Sequence, residues 1–437
     1  MFHKVSDSIS CMNTAMNSEL NNTMSPLRII LLGITGDLAQ KKLLPALYDL
    51  FVHNLLPYDT CIIGFSRRPF TDSEIKTFVS DAITKNVINS SRISEFVNLI
   101  KYVQGEYNIR ESYIKLEDYL RELDALTAGQ CSNKIFFLSV PPTLYEEIAT
   151  HISESGLATP CMQNYTRILV EKPFGQDIET AKKLVALFNT LFAQDQVFRI
   201  DHYLAKKSLY SIVSKYRIQD DVKKVWNKNF INKVEINLFE TNVVGGRGPY
   251  YDAVGALRDV GQNHLLQMLA LVALTIPEII NAENLQKARA EVFAHLVPLT
   301  VEEMQKIKRG QYDGYLSELG VNPASTTETF FSLTTYVDAE NFSHVPFMLT
   351  SGKALDKNLS EIKIYFKDGT EKVFTVAHED SLGAYEKVFL DCIAGDQTIF
   401  TSTEEVLGQW EFITPIVSAT SLTQPFVYQK GTDSAQL

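Results

Sequence analysis

The residues of this chain best suited to chemistry fall in a few short clusters. "RIDHYLAKK" sets Asp201, His202, Tyr203 and Lys206 close together, and "RDVGQNHLLQ" puts His264 at the polar lip of an otherwise apolar segment. An imidazole titrates near pH 6.5, which suits it to accept a hydroxyl proton while hydride leaves the same carbon. Such a base needs a carboxylate on its other ring nitrogen. Asp259 precedes it by five positions, about 140° around a regular helix, so it can line a pocket but is a poor partner. Asp201 is the better candidate. If a helix begins near Asp201, His202 and Lys206 share a face and, with Tyr203, offer three donors to one anion. Charge-assisted bonds of this kind contribute about 1.5–3 kcal/mol each, so a sugar phosphate would be held well. The competing reading makes Asp201 a helix cap and His202 a packed ring, and a lone histidine such as His264 is more often structural than catalytic.

A second set of residues has the character of a nucleotide site. In "LLGITGDLAQKK" Gly33, Gly36 and Ala39 recur every three residues where an apolar strand turns into a helix. Glycine there permits a tight turn and close approach of a pyrophosphate, and the helix start attracts its charge. "IIGFSRRPF" supplies Arg67 and Arg68 where an acid would favour the ribose of NAD, so a 2′-phosphate and NADP are expected. "SVPPTLY" ends another strand with two prolines that force the chain over the sheet edge, leaving Tyr145 to pack on a cofactor or in the core. "EKPFG" ends a further strand with Lys172 held extended before Pro173, aimed at a cleft or standing as a surface lysine at a turn.

These clusters need elements to hold them. From Leu27 to about residue 200, short apolar runs ("RIILLG", "CIIGF", "LIKYV", "KIFFLSV", "RILVE") alternate with helical segments, which predicts a doubly wound parallel sheet, Rossmann-like, covered on both faces. After residue 201 the runs "KVEINLFET", "TFFSLTTYV", "PFMLTSG", "EIKIYFKDG" and "EKVFTVA" alternate in period two. They predict an α+β domain with a large, mostly antiparallel sheet. The second half of "GALRDVGQNHLLQMLALVALTI" is apolar all round and reads as a buried helix. The expected organisation is a polar tail over residues 1–26, with Met24 an alternative start, then an NADP-binding domain at 27–200 and a substrate-binding domain at 201–437. A cleft between two such domains is the default ligand site.

With 437 residues and a net charge of −11, the chain has no basic face for nucleic acid or anionic membrane, and no run long enough to span a bilayer. The five cysteines are scattered and odd in number, without metal spacing, and read as reduced thiols of a cytoplasmic protein with no metal site.

Taken together, "GITGDLAQKK", "VPPTLYE", "EKPFG", "RIDHYLAK", "GGRGPYYDAVGALRDVGQNHLLQML", "SGKAL" and "AYEKVFLDCIAGDQTIF" resemble the blocks of the glucose-6-phosphate dehydrogenase family, in its order, from about Leu27 to Phe426. The resemblance implies oxidation of glucose 6-phosphate at C1 to the lactone, the first step of the oxidative pentose phosphate pathway, with hydride passing to NADP. It implies His264 as general base and Asp201 as its orienter. His202, Tyr203 and Lys206 would hold the phosphate, and Glu240, Asp259, Lys172 and Lys353 the sugar ring and phosphate. Gly33, Thr35, Gly36, Asp37, Leu38, Lys42, Arg67, Tyr145 and Lys172 would meet the cofactor.

The chain departs from the family at three places. Asn358 stands where a second phosphate-facing cation is usual, with Lys357 beside it. Ala205 replaces a glycine. The stretch between Phe366 and Ala384 is short, lacking strands that complete the large sheet and help build the subunit interface, so a homo-oligomer stays open while the usual dimer loses support. Two rival readings remain: a dehydrogenase for another hexose or hexose phosphate, and a non-catalytic NADP-binding sensor of the same fold. The sensor predicts loss of the base or its partner, and both are retained.

Overall fold

The computed structural model describes residues 25–87, 90–127, 130–161, 163–376 and 383–437. The first 24 residues of the expected tail lie outside them. The chain divides into two compact units.

The first unit holds the chain up to Glu171 together with Ala186–Phe198 and Tyr385–Gly395. Its strands are β1 (Leu27–Leu32), β2 (Thr60–Ser66), β3 (Ile100–Gln104), β4 (Asn133–Leu138) and β5 (Thr166–Val170), and β6 (Val197–Ile200) begins here and ends in the second unit. All six positions of β1 are buried, as a strand covered on both faces requires. β1 runs parallel to β2 on one side and β4 on the other, with Leu27 opposite Thr60 and Asn133. The order β6-β5-β4-β1-β2-β3 reverses between β1 and β4, so the turn that leaves β1 opens at the crevice where ligands bind in doubly wound sheets. The five expected strands appear within one or two residues of their sequence positions. β6 was not anticipated, because four residues of a run continuous with the preceding polar segment carry little periodicity.

One sequence expectation is corrected here. Cys131 and Cys161 are joined as a disulfide, their Cα atoms 6.0 Å apart, whereas Cys61 and Cys392 are free thiols. Each bonded cysteine lies just ahead of one of the neighbouring strands β4 and β5, whose pairing of Lys134 with Thr166 brings the two loops together. Thirty residues apart, the pair carries no local signal. Cys11 lies outside the described residues.

The second unit comprises Lys172–Val185, Arg199–Ala384 and Asp396–Leu437. Its sheet contains β7 (Ile231–Phe239), β8 (Lys308–Tyr312), β9 (Phe330–Thr335), β10 (Phe347–Gly352), β11 (Leu359–Phe366), β12 (Glu371–Thr375) and, after the short β13 (Phe400–Thr401), β14 (Phe426–Tyr428). The order is β12-β11-β7-β10-β9-β8-β14. Val234, Ile236, Ile362 and Ile364 are fully buried on one face of the β7–β11 pair, while Glu235, Asn237, Glu361 and Lys363 alternate between them. The sheet is mostly antiparallel, but β7 pairs parallel with β10, and β14 with β8. Strands that leave the sheet through helices between pairings return in the same direction. The expected buried helix is present: all eight residues of Leu266–Ala273 are buried.

Candidate active site

In the second unit, the chain after β6 does not form the helix expected at Asp201. Residues 202–205 turn, and the helix begins only at Lys207. The Asp201 side chain explains this: its Oδ1 accepts the backbone N–H of Tyr203 at 3.0 Å, a local bond that competes with helical winding. The same oxygen pairs with His264 Nδ1 at 2.6 Å. Asp201 and His264 are 4% and 2% exposed, so this pair is withdrawn from bulk water. Among the described residues, Asp201 Oδ2 has no hydrogen-bond partner.

The helix that carries His264 is wound abnormally. Residues Leu257–Leu265 form a π segment, with bonds five residues apart rather than four, before regular winding resumes at Leu266. Wider turns bring Asp259 and His264 toward the same side, which the regular-helix estimate of 140° forbade. Tyr203 stacks on the His264 ring with centroids 4.1 Å apart, His202 stands edge-on at 4.7 Å, and Lys206 Nζ lies 3.8 Å over the Tyr203 ring. Burial, reinforced by Lys172 and Lys206, holds His264 well below the usual histidine range, and burial with the neighbouring His264 does the same to His202. Both imidazoles are therefore neutral at pH 7. With Nδ1–H given to Asp201, the lone pair of His264 is on Nε2, facing away from the carboxylate.

Alternating charges surround this pair. Lys172 Nζ donates to the Asp259 carbonyl at 2.6 Å and lies 3.4 Å from its Oδ1, and Lys353 Nζ donates to Glu240 and lies 3.7 Å from Asp259 Oδ2. Burial pushes the Asp259 carboxyl up, but Lys172 and Lys353, with Arg247 and His264, more than offset it and bring it to about 2. The peptide bond from Lys172 to Pro173 is cis. The nine residues Asp201, His202, Tyr203, Lys206, Lys172, Glu240, Asp259, Lys353 and His264 all lie in this unit. Asn358 does not supply a cation or project toward one: its Oδ1 accepts the Thr241 backbone N–H at 2.9 Å. Lys357 is turned to Asp356 and Asp433, at 3.6 and 3.9 Å.

The cofactor candidates lie in the first unit, apart from Lys172. Gly33 has φ +92°, and a Cβ added there would meet the Ser139 carbonyl oxygen at 2.4 Å; Gly36 closes the turn by donating to the Gly33 carbonyl at 2.8 Å. Thr35, Arg67, Arg68 and Tyr107 line a recess of about 460 Å³. Arg67 lies 5.8 Å over the Tyr107 ring. Leu38 is half-buried at the start of the following helix, while Lys42 and Asp37 are exposed, Asp37 paired with Lys41 at 2.7 Å. This set fits a phosphorylated dinucleotide: a backbone cradle that side chains would fill, and two guanidinium groups beside it. Tyr145, a candidate for the cofactor or the core, is packed in the first unit. Its ring is fully buried and its hydroxyl donates to the Glu171 carbonyl at 2.9 Å. Tyr107 escaped the sequence reading, although "QGEYN" follows β3 over the same sheet edge as Arg67 and could have signalled it.

Comparisons with known proteins agree with this arrangement. The sequence matches the family model described as glucose-6-phosphate dehydrogenase, NAD binding domain, over residues 30–210, and that described as glucose-6-phosphate dehydrogenase, C-terminal domain, over residues 219–383 and 375–436. A glucose-6-phosphate 1-dehydrogenase of Treponema pallidum is 31% identical over 463 residues, covering 91% of this chain and 90% of its own length. An Arabidopsis thaliana protein named glucose-6-phosphate 1-dehydrogenase 6, cytoplasmic, is 32% identical over 442 residues, covering 90% and 85%. A solved structure described as glucose-6-phosphate dehydrogenase in complex with its substrate glucose-6-phosphate superposes with a TM-score of 0.85 at 27% identity, covering 94% of this chain and 96% of that one. By fold and by sequence along nearly its whole length, the chain belongs to the glucose-6-phosphate dehydrogenase family of oxidoreductases.

Proposed function

We propose that this protein oxidises glucose 6-phosphate at C1 to 6-phosphoglucono-1,5-lactone, with NADP as hydride acceptor. The observation that carries the reading is the buried 2.6 Å pair of His264 Nδ1 and Asp201 Oδ1. Asp201 fixes the tautomer and steadies the imidazolium that forms, and His264 Nε2 takes the proton of the C1 hydroxyl. As that O–H bond breaks, its electrons close the C1=O bond of the lactone, and the C1–H electron pair departs as hydride. NADP, when bound, supplies the acceptor for that hydride. His202, Tyr203 and Lys206 would bind the phosphate, and Lys172, Glu240, Asp259 and Lys353 the sugar ring and phosphate. Gly33, Thr35, Gly36, Asp37, Leu38, Lys42 and Arg67 would hold the dinucleotide, and Arg67 with Arg68 favours its 2′-phosphate. Lys172 and Tyr145 belong to the proposed dinucleotide set as well. Among the described residues no helix is long and apolar enough to cross a membrane, and with the Arabidopsis relative named cytoplasmic we assign the protein to the cytoplasm.

Initial rates with glucose 6-phosphate, free glucose and galactose 6-phosphate, each with NADP and NAD, test the reading. The expected result is a kcat/KM for glucose 6-phosphate at least about 10²-fold above that for free glucose, because two or more charge-assisted phosphate bonds are lost with the sugar alone. NADP should exceed NAD by about tenfold or more, an advantage that Arg67→Ala reduces. Equal rates with free glucose would favour the hexose dehydrogenase reading, and no reduction of either nucleotide would favour the sensor.

A further inference from the structure

The π segment that carries His264 needs an explanation, since regular winding would be the default for this sequence. Its start is abrupt. Gly255, at φ +72° and ψ 170°, breaks the preceding helix Gly248–Ala256, so a new helix must begin with N–H groups that have no partner in their own turn. Those groups are met from a distant part of the chain. Ala256 N donates to the Glu328 carbonyl at 3.0 Å, and Leu257 N donates to Glu328 Oε1 at 2.9 Å. Glu328 is 6% exposed, and its Oε2 accepts Arg309 Nη2 at 3.0 Å. Arg309 is itself fixed, donating to the Thr326, Thr420 and Thr423 carbonyls. A Cβ at position 255 would stand 2.5 Å from Glu328 Oε1, so the glycine serves both the turn and the approach of this carboxylate.

From this geometry we propose that Glu328 is a positioning residue for the reaction: it caps the π segment, fixes its winding, and so sets His264 against Asp201. The claim rests on the reading of His264 as the base. A cap supplied 71 residues away ties the register of the segment to the β8–β9 region, where Arg309 and Glu328 sit, rather than to the segment's own sequence. Without it, the segment can relax toward regular winding, which turns His264 relative to Asp259 and Asp201.

The test compares Glu328→Ala, which removes the acceptor, with Glu328→Gln, which keeps an oxygen for Leu257 N–H. Asp124→Asn serves as a control, because Asp124 also lies beside a buried arginine, Arg28, at 3.6 Å and accepts the Ser132 backbone N–H at 3.1 Å, but it sits in the first unit, away from the kink. Glu328→Ala is expected to cut kcat by about 10²-fold with a change in KM for glucose 6-phosphate of about threefold or less, since a displacement of about 1 Å costs that much. The acidic limb of its kcat profile should move up in pH as His264 leaves its buried pair, and Glu328→Gln should recover most of the rate. Asp124→Asn should lower the melting temperature without moving the limb. If Glu328→Ala fails to fold, a Glu328→Gln enzyme with wild-type kcat and limb supports the acceptor role, and one whose kcat falls only in step with its melting temperature overturns it. A folded Glu328→Ala enzyme with unchanged kcat and pH limb, or a control that reproduces its behaviour, would also sink the proposal. His264→Asn separates the two claims: if that variant keeps full turnover, the base assignment fails, whatever Glu328 does.

Discussion

At the residue scale, the decisive atoms are two nitrogens of one ring. Because Nδ1 is committed to Asp201, Nε2 is the atom left to act as base in the proposed reaction, and His264→Asn should lower kcat by about 10²–10⁴ while the affinity for NADP changes little. Steady-state kinetics and a cofactor titration measure both. Since burial depresses the His264 pKa, the base stays deprotonated below the pH at which free histidine protonates. The acidic limb of kcat/KM should therefore lie below about pH 6.5. Lys206→Ala, which removes the cation over Tyr203, should raise KM for glucose 6-phosphate by about tenfold or more and leave the pH limb on the same side of 6.5. Both residues of the buried pair were legible as residue types, but the regular-helix angle used to set Asp259 aside does not hold in this segment, where π winding brings Asp259 toward the side of His264. That winding could not be read, since the cap at its start comes from Glu328, which no window of sequence around His264 contains.

At the element scale, strands were more legible than turns. A run such as "RIILLG" is buried on both faces and announces itself by composition, whereas the reach from Asp201 to Tyr203 depends on one side-chain bond that overrides the helical pattern of "DHYLAKK". Tyr145 illustrates the same limit, because its position after a proline pair fits a ligand contact as well as the core that holds it. The turn after β1 makes the strongest element-level test. Gly33→Ala places a Cβ against the Ser139 carbonyl at a backbone angle that L residues avoid, so it should cost about 1–3 kcal/mol in chemical denaturation and weaken NADP binding. A Gly33→Ala enzyme of unaltered stability would show that the turn has slack absent from the geometry described above.

At the scale of the whole molecule, an acidic chain can hold an anionic substrate through a local concentration of cations, so net charge is silent about such a substrate. The buried imidazoles also leave a signature in stability. Their folded pKa values lie below the unfolded value near 6.5, so as pH falls through that value the unfolded chain binds protons that the folded chain does not. Stability should then decline from about pH 6.5 downward until the folded pKa values are reached. Melting temperatures at pH 7.5 and 5.5 should show the loss, and His202→Asn should make the decline shallower.

The strand β14 ends in Tyr428, whose hydroxyl donates to the carbonyl of Lys353 at 2.7 Å and lies 2.9 Å from Thr329 Oγ1. A lysine whose ammonium faces Glu240 is thus anchored from behind by a residue of the last strand of the sheet. Proteolytic trimming back past this tyrosine would therefore remove, in one cut, the bond behind Lys353 and a ring of the buried cluster that holds Tyr312 and Phe330, so a clipped preparation should melt earlier as well as lose whatever hold Lys353 has on the sugar.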